Sequence, residues 1–227
     1  MTPSGRDVSV SALEDYLQGL DFDQGVEITQ AHHHQGEVRL FNPQRPDLPD
    51  QLIIKRPKGT GVRHRLALKT LQREHRAYQR LQGIDGFAPC HGLIFNRYLV
   101  LGFVEGLPLS QVDAPPPGFY ASLLGAIEAM HAQGVAHGDL KKKDNIIVTP
   151  EGQPVILDLG TAVSRKRGWH PVGRGLFDLI ARTDLNAWVK HKYGAYAAVA
   201  ETDRIYLNRS WPERVLTYLR SRKRSNP

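Results

Sequence analysis

His137-Gly138-Asp139-Leu140-Lys141-Lys142-Lys143-Asp144-Asn145-Ile146-Ile147-Val148 and, shortly after it, Val155-Ile156-Leu157-Asp158-Leu159-Gly160 are the stretches whose reading decides the fold. Ile146 to Thr149 and Val155 to Leu157 are apolar, β-branched runs. Pro150-Glu151-Gly152-Gln153-Pro154 between them is turn-forming, so the two runs read as a small hairpin. A polar loop carrying Asp139 leads into the first strand. Asp158 follows the second, and Gly160 suits the turn required there.

Toward the N-terminus, short runs with strand character follow one another: Val26 to Thr29, Glu37 to Phe41, Gln51 to Lys55, His91 to Phe95 and Tyr98 to Phe103. They predict an antiparallel sheet. One helix interrupts the series, roughly Val62 to Leu81, with Leu66, Leu71, Tyr78 and Leu81 as its apolar face and Gly83 as its stop. Asp113-Ala114-Pro115-Pro116-Pro117-Gly118 is a stiff joint that must break regular structure. Beyond it the pattern is mostly helical, over about Phe119 to Gln133, Gly175 to Tyr193 and Pro212 to Arg220, the last opening on a proline. The expected fold is α+β and two-lobed. An N-terminal extension (1–24) precedes a lobe of antiparallel sheet plus one helix (25–104). A minimal helical lobe (105–227) carries the hairpin and a basic tail. The cleft between the lobes is the expected ligand site.

The 227 residues are 41% hydrophobic and 23% charged, enough to bury a substantial core. No stretch approaches the roughly 20 apolar residues that span a bilayer, and the first residues lack the basic start and apolar stretch of a secretory signal. A single cysteine, Cys90, excludes an internal disulfide framework and agrees with a reducing compartment, so the expected location is the cytoplasm. Thirty Lys and Arg against 23 Asp and Glu leave a net charge of +7, which favours anionic partners such as nucleotides, acidic headgroups or phosphorylated sugars. The basic clusters are Arg63 to Arg76, Lys141 to Lys143, Arg165 to Arg167 and the tail after Leu219. Each taken alone reads as a solvated face. With no aromatic-interleaved basic motif among them, nucleic acid is not an expected partner.

His137-Gly138-Asp139, with an Asn following at the edge of a strand, resembles the catalytic loop of protein-kinase-like enzymes. Asp158-Leu159-Gly160 resembles their Asp-Phe-Gly element. Leu52-Ile53-Ile54-Lys55, followed 19 residues later by Glu74 on the expected helix, resembles their strand lysine and helix glutamate. Tyr98 to Gly106 resembles the strand that runs into the lobe connector. The five polar residues stand in the family's order, each on the expected element. The resemblance implies ATP and magnesium. In it, Asp139 faces the attacking hydroxyl and Lys141, two residues on, touches the transferred phosphate. Asn145 and Asp158 hold the metal, Lys55 and Glu74 align the α- and β-phosphates, and the backbone of Gly102, Phe103 and Val104 meets the adenine edge.

The pattern also departs from the family's. Asn145 lies six residues after Asp139 where the usual spacing is five, which leaves Asp144 as a rival ligand. Gln30 to Gly36 holds one glycine where a glycine-rich turn is usual. Its three histidines, His32 to His34, lack the partners of a zinc site and read as an exposed turn. No Ala-Pro-Glu element follows Asp158. That truncation resembles the atypical bacterial and archaeal kinases, both the lipopolysaccharide core kinases acting on Kdo or heptose and the RIO-type protein kinases, over roughly residues 25–195. Thr183 to Lys192 resembles the closing helix of proteins grouped with the former. Asp178 before it reads as solvent-facing, with anchoring of the catalytic loop as the alternative. The implied reaction is transfer of the γ-phosphate to a hydroxyl. The expected acceptor is an acidic glycolipid sugar of lipopolysaccharide type, with possible contact to an anionic membrane surface. A protein Ser or Thr, as in the RIO type, is the alternative, and a nucleotide-binding pseudokinase is a further reading.

Overall fold

The computed structural model describes residues 8–28, 36–165, 171–194 and 198–207. The expected helix Pro212 to Arg220, the basic tail, Lys166 and Arg167, and residues 30–35 of the phosphate-covering turn lie outside the described residues.

Among those residues, β1 (Val26–Glu27), β2 (Glu37–Phe41), β3 (Leu52–Arg56), β4 (Cys90–Ile94) and β5 (Tyr98–Gly102) form the expected antiparallel sheet, in the order β1-β2-β3-β5-β4. Alternation along β3 sends Leu52 and Ile54 to one face, where both are wholly buried, and Ile53 and Lys55 to the other. The first face is covered by α1 (Val10–Gln18). Its Ala12, Leu13 and Leu17, with Phe22 after it, pack on Phe41, Leu52, Ile54, Ile94, Tyr98 and Val100. Residues 10–22 therefore supply part of the sheet's own core, although the sequence reading set them apart as an extension.

The second face of the sheet is covered by α2 (Gly61–Arg80), whose Leu71, Ala77 and Tyr78 meet Leu99 and Leu101 of β5. The same apolar cluster runs on into the second lobe, through Leu123, Ile127 and Met130 of α3 (Phe119–Ala132) and Trp188 of α4 (Pro171–Tyr193). The helix expected from Gly175 starts earlier, at Pro171, a residue whose fixed φ and missing N–H suit a first turn.

Between α3 and α4 lies the expected hairpin, β8 (Ile146–Val148) antiparallel to β9 (Pro154–Ile156). β6 (Leu107–Pro108) adds a third strand on the β8 side. A second ribbon pairs β7 (Val135–Ala136) with β10 (Val163–Ser164). These two ribbons bring the chain on either side of 137–145 and 157–162 to one place. Both polar loops thus open toward the sheet face that carries Lys55.

Candidate active site

Lys55 is set by strand alternation and Glu74 by the buried stripe of α2, and the two meet: Lys55 Nζ donates to Glu74 Oε1 at 2.6 Å. Asp158 Oδ1 lies 3.7 Å from the same ammonium. Burial alone pulls the Lys55 pKa down, but the Glu74 and Asp158 carboxylates outweigh it and hold the ammonium above its ordinary value. Asp158 is reached by a turn in which it adopts φ +58°, a left-handed conformation that costs a non-glycine residue of the order of 1 kcal/mol. Its Oδ1 accepts from the amide of Gly160, while Arg73, the neighbour of Glu74 on α2, donates to the Gly160 carbonyl at 2.5 Å.

Across from this group, the loop 137–145 is held from within. His137 Nδ1 accepts from the Asp139 amide at 3.2 Å, and its Nε2 donates to the Leu157 carbonyl at 2.8 Å, tying the loop to the strand end before Asp158. Asn145 is buried, and its Nδ2 donates to the Asp139 carbonyl at 3.0 Å, so its amide oxygen remains as a ligand atom. Its own carbonyl accepts from Leu157 N at 2.8 Å, so Asn145 and Asp158 flank one hydrogen-bonded crossing of the hairpin. Asp144 is exposed, and its carboxylate accepts from the Ser110 hydroxyl. The extra residue in the loop is thus absorbed by the Lys143–Asn145 turn. The ammonium 2.8 Å from Asp139 Oδ2 belongs to Lys142. Lys141 is exposed.

Asp184 of α4 is the residue that motif reasoning missed. Wholly buried, its carboxylate accepts from His137 N at 2.7 Å and Gly138 N at 2.9 Å, and lies 3.1 Å from His131 Nε2. Gly138 has φ +82°, the conformation that lets two successive amides point at one carboxylate. Asp178, the anchor considered from sequence, is exposed and sits 3.4 Å from Arg165 instead. The signal for Asp184 was present. It falls seven residues after Phe177 and four before Trp188, on the buried stripe of α4, where an acidic residue needs a partner.

At the connector, the Gly102 amide is taken by the Pro89 carbonyl at 2.8 Å and the Phe103 amide reaches the Gln51 carbonyl at 3.5 Å. Phe103 turns its ring outward, 37% exposed. Among the described residues, Val104 N donates to no backbone carbonyl. Of the three connector residues expected to meet a nucleobase, it is the one whose amide remains to donate.

Residues 54–178, more than half of the chain, match the RIO domain family. The chain belongs to that family. The matched span of this RIO domain takes in Lys55, Glu74, Asp139, Asn145 and Asp158. A putative cyclin-dependent kinase F-2 of Oryza sativa is 38% identical over 74 residues, covering 28% of this chain and 22% of that protein. A probable serine/threonine-protein kinase PknB of Lactococcus lactis is 28% identical over 138 residues, covering 56% and 22%. The chain thus spans about a fifth of the length of these curated relatives. Among solved structures, the Rio2 kinase of Chaetomium thermophilum in an ADP/Mg2+-phosphoaspartate complex superposes with a TM-score of 0.56 at 18% identity, over 87% of this chain and 65% of that one. A second structure of that kinase gives 0.56 at 17%, over 87% and 67%. The fold is protein-kinase-like, with the antiparallel sheet, single sheet helix and helical second lobe expected from the sequence.

Proposed function

We propose that this RIO domain is an ATP- and magnesium-dependent phosphotransferase acting on a protein hydroxyl. The observation that carries the reading is the Lys55 ammonium held between Glu74 and Asp158, facing a loop in which Asp139 and Asn145 are tied together. Lys55 presents its charge to the α- and β-phosphates, with Glu74 fixing its direction. The donor set fits magnesium: one carboxylate, Asp158, and one amide oxygen, Asn145, are hard ligands of the number that cation takes from protein when phosphate supplies the rest. Bound magnesium supplies neutralisation of the charge on the phosphates. Asn145 is favoured over Asp144 because Asp144 points to Ser110 at the surface. Asp139 accepts the proton of the attacking hydroxyl, and Lys142, on its other oxygen, meets the transferred phosphate in the place expected for Lys141. Val104 N receives the adenine edge, with Gly102 and Phe103 shaping the connector. The nucleotide-binding lobe is residues 25–104 with α1 as its back, and the catalytic lobe follows from 105.

We prefer a protein hydroxyl to the sugar acceptor expected from sequence, because a relative reported above is named as a serine/threonine-protein kinase and none is named for a sugar. Among the described residues no helix is long and apolar enough to cross a membrane. The test is transfer from γ-labelled ATP with magnesium into a fractionated lysate and into the chain itself, with Asp139→Asn as control. Label in protein, lost by 100-fold or more in the variant, is the expected result, a loss on the order of a general-base contribution. Acid-stable label marks Ser or Thr, and hydroxylamine-labile label marks an acyl phosphate. Label confined to glycolipid would return the acceptor to a sugar. Nucleotide binding without transfer would make the chain a pseudokinase.

A further inference from the structure

One face of α2 packs on the cores and holds Glu74 to Lys55, and the other meets solvent. On the solvent face Arg65, Lys69, Arg73, Arg76 and Arg80 are all exposed. They follow one another at steps of three or four residues, so they form a single stripe about 22 Å long. Glu74, the helix's acidic residue, is buried and taken by Lys55. Arg73, Arg76 and Arg80 donate to backbone carbonyls, of Gly160, of Gln72, and of Gly134 and Arg165. Among the described residues no carboxylate forms an ion pair with any of the five. Arg65 and Lys69, Lys69 and Arg73, Arg73 and Arg76, and Arg76 and Arg80 are like charges one turn apart, and each such pair weakens the helix. A row serving solubility alone would alternate its signs and strengthen the helix instead. The stripe is therefore a cost to the fold that an external anion would relieve.

The stripe is headed by apolar side chains. Val62 is 71% exposed, and Leu66, which the sequence reading placed on the apolar face, is 59% exposed. We propose that the exposed face of α2 docks an acidic segment of a partner protein, with carboxylates along Arg65 to Arg80 and apolar side chains over Val62 and Leu66. Other occupants fit less well. A nucleic acid would meet the cations with phosphate but would leave Val62 and Leu66 uncovered, and this face carries no Phe, Tyr or Trp on which a base could stack. A bilayer takes up a helix through a broad apolar face, and two side chains do not make one. A second copy of the chain would bring the same five cations against themselves. The chain's own tail carries Arg220, Arg222, Lys223 and Arg224, so it too is repelled.

Fluorescence anisotropy on the full chain tests this with a glutamate peptide ending in two leucines, the same peptide without leucines, and a short RNA duplex. Pelleting with phosphatidylcholine–phosphatidylserine vesicles, thermal melting and ADP binding run alongside. Wild type should bind both peptides, the leucine-ended one more tightly, with affinities that fall as salt rises. Lys69→Glu/Arg76→Glu turns all four like-charge pairs into opposite ones, so it should melt at or above the wild-type temperature. It should nonetheless lose about ten-fold or more of its affinity for both peptides, because attraction becomes repulsion. Leu66→Gln should lose roughly ten-fold for the leucine-ended peptide and little for the other. A double variant that melts higher yet binds both peptides as wild type does marks a merely solvated face and overturns the proposal, as does a wild type that binds neither. RNA or vesicles held more tightly than either peptide, and released by the double variant, overturn it in favour of a polyphosphate or a membrane. A drop in ADP affinity alongside peptide affinity also overturns it, because that reports a displaced helix.

Discussion

The Asp184 carboxylate, wholly buried, accepts from two successive backbone amides and approaches a histidine ring. A buried charge is tolerated only while such donors surround it, and the donors are tolerated only while the charge is there. Asp184→Ala leaves the His137 and Gly138 amides buried without an acceptor, and is expected to cost about 3 kcal/mol or more in urea denaturation. Asp184→Asn turns one accepting oxygen into a donor and should cost about 1–3 kcal/mol. Because those two amides precede Asp139, kcat should fall in both variants by more than ADP affinity does. An Asp184→Ala protein as stable as wild type would show that the loop is held by its own His137 bonds instead. Lys142→Met is milder: the ammonium it removes is 42% exposed, so stability should stay within about 0.5 kcal/mol while kcat drops.

At the scale of the element, α4 is the strut that carries the loop 137–145. Besides Asp184, it presents His191, whose Nε2 donates to the Leu140 carbonyl at 2.7 Å. It also presents Trp188, whose indole donates to the Tyr120 carbonyl at 2.7 Å. Burial first, with Lys143 and Lys190 adding to it, lowers the His191 pKa below its ordinary value despite the Leu140 carbonyl. A histidine whose folded pKa is depressed contributes stability that is present above the unfolded value of about 6.5 and lost as pH falls below it. Burial lowers His75 and His91 in the same direction. Melting temperature should therefore fall as pH drops from about 7 to 5, and His191→Gln should flatten part of that slope. A variant with the wild-type slope would place the effect on the other two.

What the sequence made legible follows the same division. Strands with strict alternation, the 20-residue helix and the hairpin were readable because period and turn chemistry are local. That Lys55 meets Glu74 and Asp158, and that Asn145 is tied to Asp139, was readable because order and element type constrain one another. α1 was not, since an amphipathic segment says which face is apolar but not which sheet will cover it. Asp184 was not, because its hydrogen bonds run to residues 46 or more away in the chain.

At the scale of the whole molecule, α2 belongs to both lobes. Its apolar face is shared between β5 and the second lobe's core, and its polar edge is sewn to the far side: Arg73 to the Gly160 carbonyl, Arg80 to the carbonyls of Gly134 and Arg165. A closure of the cleft that moved the sheet alone would shear Glu74 from Lys55, whereas α2 fastened to the turn after Asp158 keeps the Lys55 ammonium, the Glu74 carboxylate and the Asp158 turn in one frame. Arginine bonds to carbonyls are charge-assisted and worth about 1.5–3 kcal/mol where partly buried. Arg73→Met should therefore free the Leu159–Thr161 turn without unfolding either core. Hydrogen exchange is the measure: amides of that turn should exchange about ten-fold faster or more, those of α1 and β3 unchanged, because the α1 side of the sheet belongs to a separate apolar cluster. Faster exchange throughout would mean that Arg73 sustains the fold as a whole, and unchanged exchange at the turn would leave the frame to Arg80 and the shared core.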